Sequence, residues 1–390
     1  MRLRLAFLAL AWLFGGAAVP AWGQALTPLV AEVLSPPRPV PGSDGNTHLV
    51  YELRLANVTG GAATLRRLAV LEEAGGASLL ALEGAALAGR LSTGGHRGSE
   101  SATLGAYQFG IAWLHVTLSP GRPVPAGLLH VVEAEFAQLG GGRTMRIAGT
   151  PVDARAVPVL GPPLRGGGYV AGDGCCDSIR HVRALLPLDG RLRLAQRFAI
   201  DWERLDEERR IYRGEKQDPR SYRIYGEPAL AVADGRVVAA RDDLPDQVPG
   251  ALPQGLPIEE ADGNCVILDI GGGARVLYAH FRPGSLRVRV GETVRRGQVL
   301  GEVGNSGNSS APHLHLHVMD GPSPLAANGV PYVFDSFTVS ATVSGGTAAF
   351  DHAEETGEPL PLTPAGSPGR LSRTLPLDLA IVEWGEAAGR

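Results

Sequence analysis

The chain has 390 residues, more than one hydrophobic core ordinarily uses, so two domains are expected. Its 36 basic and 40 acidic residues nearly balance, giving a formal net charge of -4, which excludes the strongly basic footprint of a nucleic-acid binder. With 53 glycines, 30 prolines and short apolar runs between turns, the expected fold class is all-β.

Residues 1–23 read as a signal peptide. Met1 to Arg4 is a cationic start, Leu5 to Phe14 an apolar core, and Ala21-Trp-Gly23 offers small residues at a cleavage site. The apolar run falls short of the ~20 residues a membrane helix needs, and no later segment approaches that length. The mature chain is therefore expected to have no transmembrane span and to be exported, to a periplasm or outside the cell; an uncleaved anchor is the alternative.

Residues 27–159 read as an accessory domain. Thr47 to Asn57, Trp113 to Leu118 and Leu128 to Phe136 mix apolar and polar positions with a period near two. Strands spaced by Gly/Pro turns suggest an immunoglobulin-like β-sandwich that positions the second domain. His48, His96, His115 and His130 are scattered here, and ordinary surface or core roles are expected for them. Residues 160–184, rich in glycine and proline, read as a linker. Cys175 and Cys176 are adjacent, and Cys265 is the remaining cysteine. One bridge and one leftover thiol are expected in an oxidising compartment, with a bond to Cys265 favoured over a strained vicinal bridge.

Residues 185–337 form the second expected domain. Glu203 to Arg223 is a charged insertion and Asp242 to Asp262 a long loop, both of a length that builds walls or lids, with ordinary solvated loops as the equal alternative. The densest signal is Asn305 to Val318, a Gly/Ser/Asn/Pro turn followed by His313-Leu-His315-Leu-His317. In a strand the three imidazoles share one face while Leu314 and Leu316 point into a core, an arrangement suited to holding a metal. Residues 338–390 read as a C-terminal β extension, with strands around an exposed stretch from Asp351 to Arg370.

His313-Leu-His315, Gly304-Asn-Ser-Gly307, Tyr278-Ala-His280, the glycine-punctuated hairpin Val290 to Gly301 and the strand and turn Ala231 to Val238 together resemble the LytM/lysostaphin-type zinc endopeptidases, which cut peptide cross-links in bacterial cell walls. The resemblance implies an antiparallel β-sheet peptidase domain over 185–337, one Zn2+ ion, His315 and Asp201 as metal ligands, and His280 and His313 as catalytic histidines. It also implies peptidoglycan peptides, or a partner cell-wall hydrolase, as the binding partner.

The chain departs from the family's His-x-x-x-Asp motif, because Arg197 stands four residues before Asp201. An arginine has no lone pair to offer a metal and stays charged. His181 and His317 are the available substitutes. His317 stands about 6.6 Å along the strand from His315, so sharing one ion would require the strand to bend, and His181 is the better candidate. The alternative is an Arg197–Asp201 ion pair in a metal-free, catalytically inactive domain that binds peptidoglycan or regulates a partner hydrolase.

Overall fold

The computed structural model describes residues 26–93, 97, 99, 101–366 and 369–385. The leader and His96 lie outside them. Antiparallel strands dominate, as the alternating sequence requires.

The N-terminal unit consists of two five-stranded sheets. One runs Leu29–Val33, Thr47–Asn57, Phe109–Leu118, Leu91–Thr93, with Val40–Pro41 also on Thr47–Asn57; the other runs Gly141–Pro151, Gly127–Phe136, Ala63–Glu72, Ser78–Glu83, with Thr103–Leu104 also on Ala63–Glu72. Leu49, Tyr51, Leu53 and Leu55 from the first meet Leu65, Leu68, Val132 and Phe136 from the second in a single core. Each strand therefore buries the face that its period-two pattern makes apolar.

The second unit is organised by an eleven-stranded sheet. Its order is Thr293–Val294, Gly235–Arg241, Cys265–Asp269, Arg275–Ala279, Leu314–Met319, Ile200–Arg204, Tyr169–Gly172, Ala380–Glu383, Phe337–Val343, Leu362–Pro364, with Arg370–Leu371 also paired to Phe337–Val343. Trp202, Tyr278, Leu314, Leu316, Val318 and Phe334 pack in the main core beneath it.

Two expectations about boundaries change here. The stretch 160–184 is not a free linker: Tyr169–Gly172 is a fully buried strand paired on both sides, with Ile200–Arg204 and with Ala380–Glu383. Its apolar Tyr-Val-Ala run outweighs the flanking glycines. At the far end, the stretch expected to be exposed begins inside a helix, Gly346–Thr356, which buries Phe350 and Ala353 against Ile211, Tyr212 and Tyr222 of the charged insertion.

The cysteines also pair differently from expectation. Cys175 bonds to Cys176, and Cys265 is free. Cys265 packs beside Ile267, Leu277 and Met319, a cluster separate from the main core that holds Cys175 and Cys176. Burial pushes the Cys265 thiol up to about 12.

Arg197 does not pair with Asp201. Its guanidinium donates from Nε to Glu52 Oε1 at 2.7 Å and from Nη2 to Glu52 Oε2 at 2.6 Å, and from Nη1 to the Gly329 carbonyl at 3.1 Å. Glu52 belongs to the sandwich strand Thr47–Asn57, so this planar fork joins the two units through a buried ion pair. Gly329 packs against the backbone that leads to this arginine: a Cβ there would lie 2.6 Å from the Ala195 carbonyl oxygen and 3.0 Å from the Arg197 backbone nitrogen. Glu52→Ala should strand a buried guanidinium and lower the unfolding free energy by about 3–5 kcal/mol in denaturant titrations, whereas the paired change Glu52→Met with Arg197→Met should restore most of it.

Candidate metal centre

Strand register does most of the positioning. In Leu314–Met319, alternation sends Leu314, Leu316 and Val318 into the core and His315 and His317 to the opposite face. On one side Asp201 lies directly across from His315, and on the other Ala279 does, which places His280 at the end of its strand. His313 immediately precedes the histidine strand. His181 arrives from the segment that follows Tyr169–Gly172. His280 adopts a φ of 64°, an uncommon conformation for a residue with a Cβ and one found where a side chain must be aimed.

The turn before His313 is held by close backbone approach. Gly307 has a φ of 78°, and a Cβ on it would lie 2.3 Å from the Gly263 nitrogen. This contact seats the Ser306 carbonyl 2.7 Å from His280 Nδ1.

Three histidines have an outer nitrogen tied to a backbone carbonyl. His181 Nδ1 lies 3.0 Å from the Asp173 oxygen, His280 Nδ1 2.7 Å from that of Ser306, and His313 Nδ1 2.8 Å from that of Ala311. A carbonyl only accepts, so Nδ1 carries the hydrogen and a neutral ring keeps its lone pair on Nε2. Those of His181 and His313 face Asp201, at 3.3 Å from Oδ2 and 3.4 Å from Oδ1. Lone pairs cannot face a carboxylate unless protons or a cation lie between them.

Without a cation the chain uses protons. Burial opposes charge on His181 and His313, but the Asp201 carboxylate outweighs it and raises both to about 9. Burial alone would raise Asp201 in turn, yet the charges of His181 and His313 hold it well below the usual carboxylate range. Burial keeps His280, His315 and His317 lowered, the first and last strongly.

A metal ion meets the same geometry. One donor atom each from His181, Asp201 and His315 lies within 4.8 Å of the others, and the same holds for His280, His313 and His315. Two imidazoles and a carboxylate, with room for a fourth group, form a donor set that fits zinc. His315 presents Nδ1 to Asp201 Oδ1 at 2.8 Å, while its Nε2 meets His317 Nδ1 at 2.9 Å. His317 is fully buried, and its Nε2 has no hydrogen-bond partner among the described residues. It stands behind His315 and orients that ring.

The centre opens into a cleft of about 380 Å³. Glu203, Asp262 and Glu354 line it, together with Arg97, Arg180 and Leu252. Burial, reinforced by Glu354, pushes Glu203 well above its ordinary range; burial also raises Glu354, and lifts Asp262 to about 7. The long loop Asp242 to Asp262 thus supplies a wall through Leu252 and Asp262, whereas Glu203 reaches the cleft from strand Ile200–Arg204 and the rest of the charged insertion does not line it. Glu354 had no local signal, because it reaches the cleft from a helix in the C-terminal stretch. Arg197 lines a separate recess of about 740 Å³ at the junction of the two units.

Residues 222–327 match the sequence family described as Peptidase family M23. That match includes His280, His313, His315 and His317 and begins after His181 and Asp201. No curated protein matches. Among solved structures, the chain is similar to the catalytic domain of the antimicrobial peptidase lysostaphin from Staphylococcus simulans, at 22% identity over 42% of this chain and 88% of that one, with a TM-score of 0.23. It is similar to a putative peptidase M23 from Pseudomonas aeruginosa at 17% identity, over 67% of this chain and 89% of that one, TM-score 0.23. It is also similar to the catalytic domain of the prophage-encoded M23 protein EnpA from Enterococcus faecalis at 20% identity, over 43% and 88% of the respective chains, TM-score 0.23. TM-scores this low carry no weight, and the assignment rests on the sequence match together with the motifs that lie within it. Over residues 222–327 the chain carries a domain that matches Peptidase family M23.

Proposed function

We propose that this chain is an exported zinc endopeptidase that hydrolyses peptide cross-links of bacterial peptidoglycan. The observation that supports this most directly is the convergence of the His181, His313 and His315 rings on the single carboxylate of Asp201. His181, Asp201 and His315 would hold the ion. When bound, zinc supplies an acidified water and a Lewis acid for the scissile carbonyl.

The remaining steps belong to the chain's own residues. His280 and His313 each have Nδ1 committed to a carbonyl, which leaves Nε2 as the exchanging nitrogen, that of His313 lying beside Asp201. One takes a proton as the amide is attacked, and the other returns one to the leaving amine. His317 fixes the ring of His315, and the cleft walls exclude bulk water from the amide. The leader at residues 1–23 would deliver the enzyme to the periplasm or the cell exterior, where peptidoglycan lies.

Zinc content and digestion of purified cell walls test the reading together. His181→Ala and His315→Ala should lose both zinc and activity, whereas His313→Ala should retain zinc and lose activity. A wild-type protein that takes up no zinc at micromolar free metal would leave the domain as a metal-free peptidoglycan-binding or partner-regulating module.

Arg197→His should give no gain in zinc affinity, because the side chain at 197 faces Glu52 rather than Asp201. A gain measured by zinc titration would overturn the assignment of His181. His317→Phe should weaken zinc binding about 10–100-fold by removing the partner of His315 Nε2, with the fold retained by circular dichroism.

A further inference from the structure

A second group of metal-type donors lies away from the cleft, where the sandwich meets the segment after Tyr169–Gly172. His48 stands on strand Thr47–Asn57 and His115 on the adjacent strand Phe109–Leu118, in diagonal register. Their rings meet through His48 Nδ1 and His115 Nε2, 2.8 Å apart. Cys176 comes from the other side, and one donor atom from each of the three residues lies within 4.8 Å of the others.

The outer nitrogens are held by carboxylates. His48 Nε2 lies 3.0 Å from Asp44 Oδ1, and His115 Nδ1 lies 3.5 Å from Asp177 Oδ2, with Asp177 also paired to Arg90 at 2.6 Å. The carboxylates favour a hydrogen on each outer nitrogen and so free the inner nitrogens for ligation, the arrangement that carboxylate–histidine–metal triads use. Thr117 Oγ1 lies 3.3 Å from His115 Nε2, and His48 is 2% exposed, so water has little access to the pair.

We propose that His48, His115 and Cys176 form a second, thiolate-containing site for a borderline-soft dication such as Zn2+, which opens when the Cys175–Cys176 bridge is reduced. A disulfide sulfur is a poor ligand, and a thiolate is a strong one. Reduction by a dithiol breaks the Sγ–Sγ bond, delivers two electrons and two protons to the cysteine pair, and leaves the dithiol as its own disulfide. Cys176 then releases a proton to solvent as it takes the cation. With an imidazole from each of two sandwich strands and a thiolate from the peptidase unit, the ion would cross-link the two.

Co2+ is the probe, since a cobalt–thiolate bond gives a near-ultraviolet charge-transfer band that the His/Asp centre in the cleft cannot produce. The full chain should show the band after dithiol treatment and lack it when oxidised. Cys175→Ser leaves Cys176 permanently unbridged and should show the band without reductant. Cys176→Ser should abolish it and Cys265→Ser should retain it. Asp177→Asn should weaken cobalt binding at this band about 10–100-fold. A folded Cys175→Ser protein without the band, or a band that survives Cys176→Ser and disappears with Cys265→Ser, would overturn the proposal. Because the readout is thiolate ligation rather than turnover, it stands or falls independently of whether the cleft hydrolyses peptidoglycan.

Discussion

Asp201 is a partly buried carboxylate on which three imidazoles converge, and the architecture of the second unit is arranged to keep it there. Removing such a charge from water is costly unless cations or strong donors surround it. The sheet provides them by register: His315 lies across from Asp201 on one neighbouring strand, and Gly172 lies across from it on the other. Gly172 leaves the second side open, and the chain that runs on from it delivers His181. A one-residue slip of strand Ile200–Arg204 would send Asp201 into the apolar core and leave the histidines facing one another without a counter-charge.

The second constraint is the Arg197–Glu52 fork. Arg197 occupies the position where a fourth imidazole would stand by the family's usual spacing, yet it serves the domain junction instead of the site. The imidazole that stands beside Asp201 is instead that of His181, which the preceding segment carries in from outside the motif. That segment also leans on the sandwich: Arg97 donates to the carbonyls of Ile179 and Arg180, and Arg183 donates to those of Gly89 and Arg97. The position of His181 therefore depends on the N-terminal unit as well as on its own sheet.

What was legible in the sequence followed from periodicity and local chemistry. Alternation in His313 to His317 assigns histidines to one face and leucines to the other, and the structure has that arrangement because a pleated strand allows no other. The turn before it was legible from its Gly, Ser, Asn and Pro content. The partner of Arg197 was not, because Glu52 lies 145 residues away and nothing local selects it over Asp201. Tyr169–Gly172 was obscured by the glycines around it, and Glu354 by its place on a helix with no motif. The donor set around Cys176 was hidden in the same way: two scattered histidines and a cysteine pair acquire meaning only when two units meet.

The cleft draws its groups from Arg97 near one end of the chain to Glu354 near the other, and almost none of the contacts that shape it are local. Closing such long loops is entropically slow, so pairings of this kind form late in folding. Strand Tyr169–Gly172, which leads to His181, is itself bordered by Ala380–Glu383 from the last described stretch of the chain. An emerging or partly threaded polypeptide consequently has its histidines but not their geometry. The centre is therefore assembled only after strand Ala380–Glu383 has docked beside Tyr169–Gly172, so its donors come together only when nearly all of the described chain is in place.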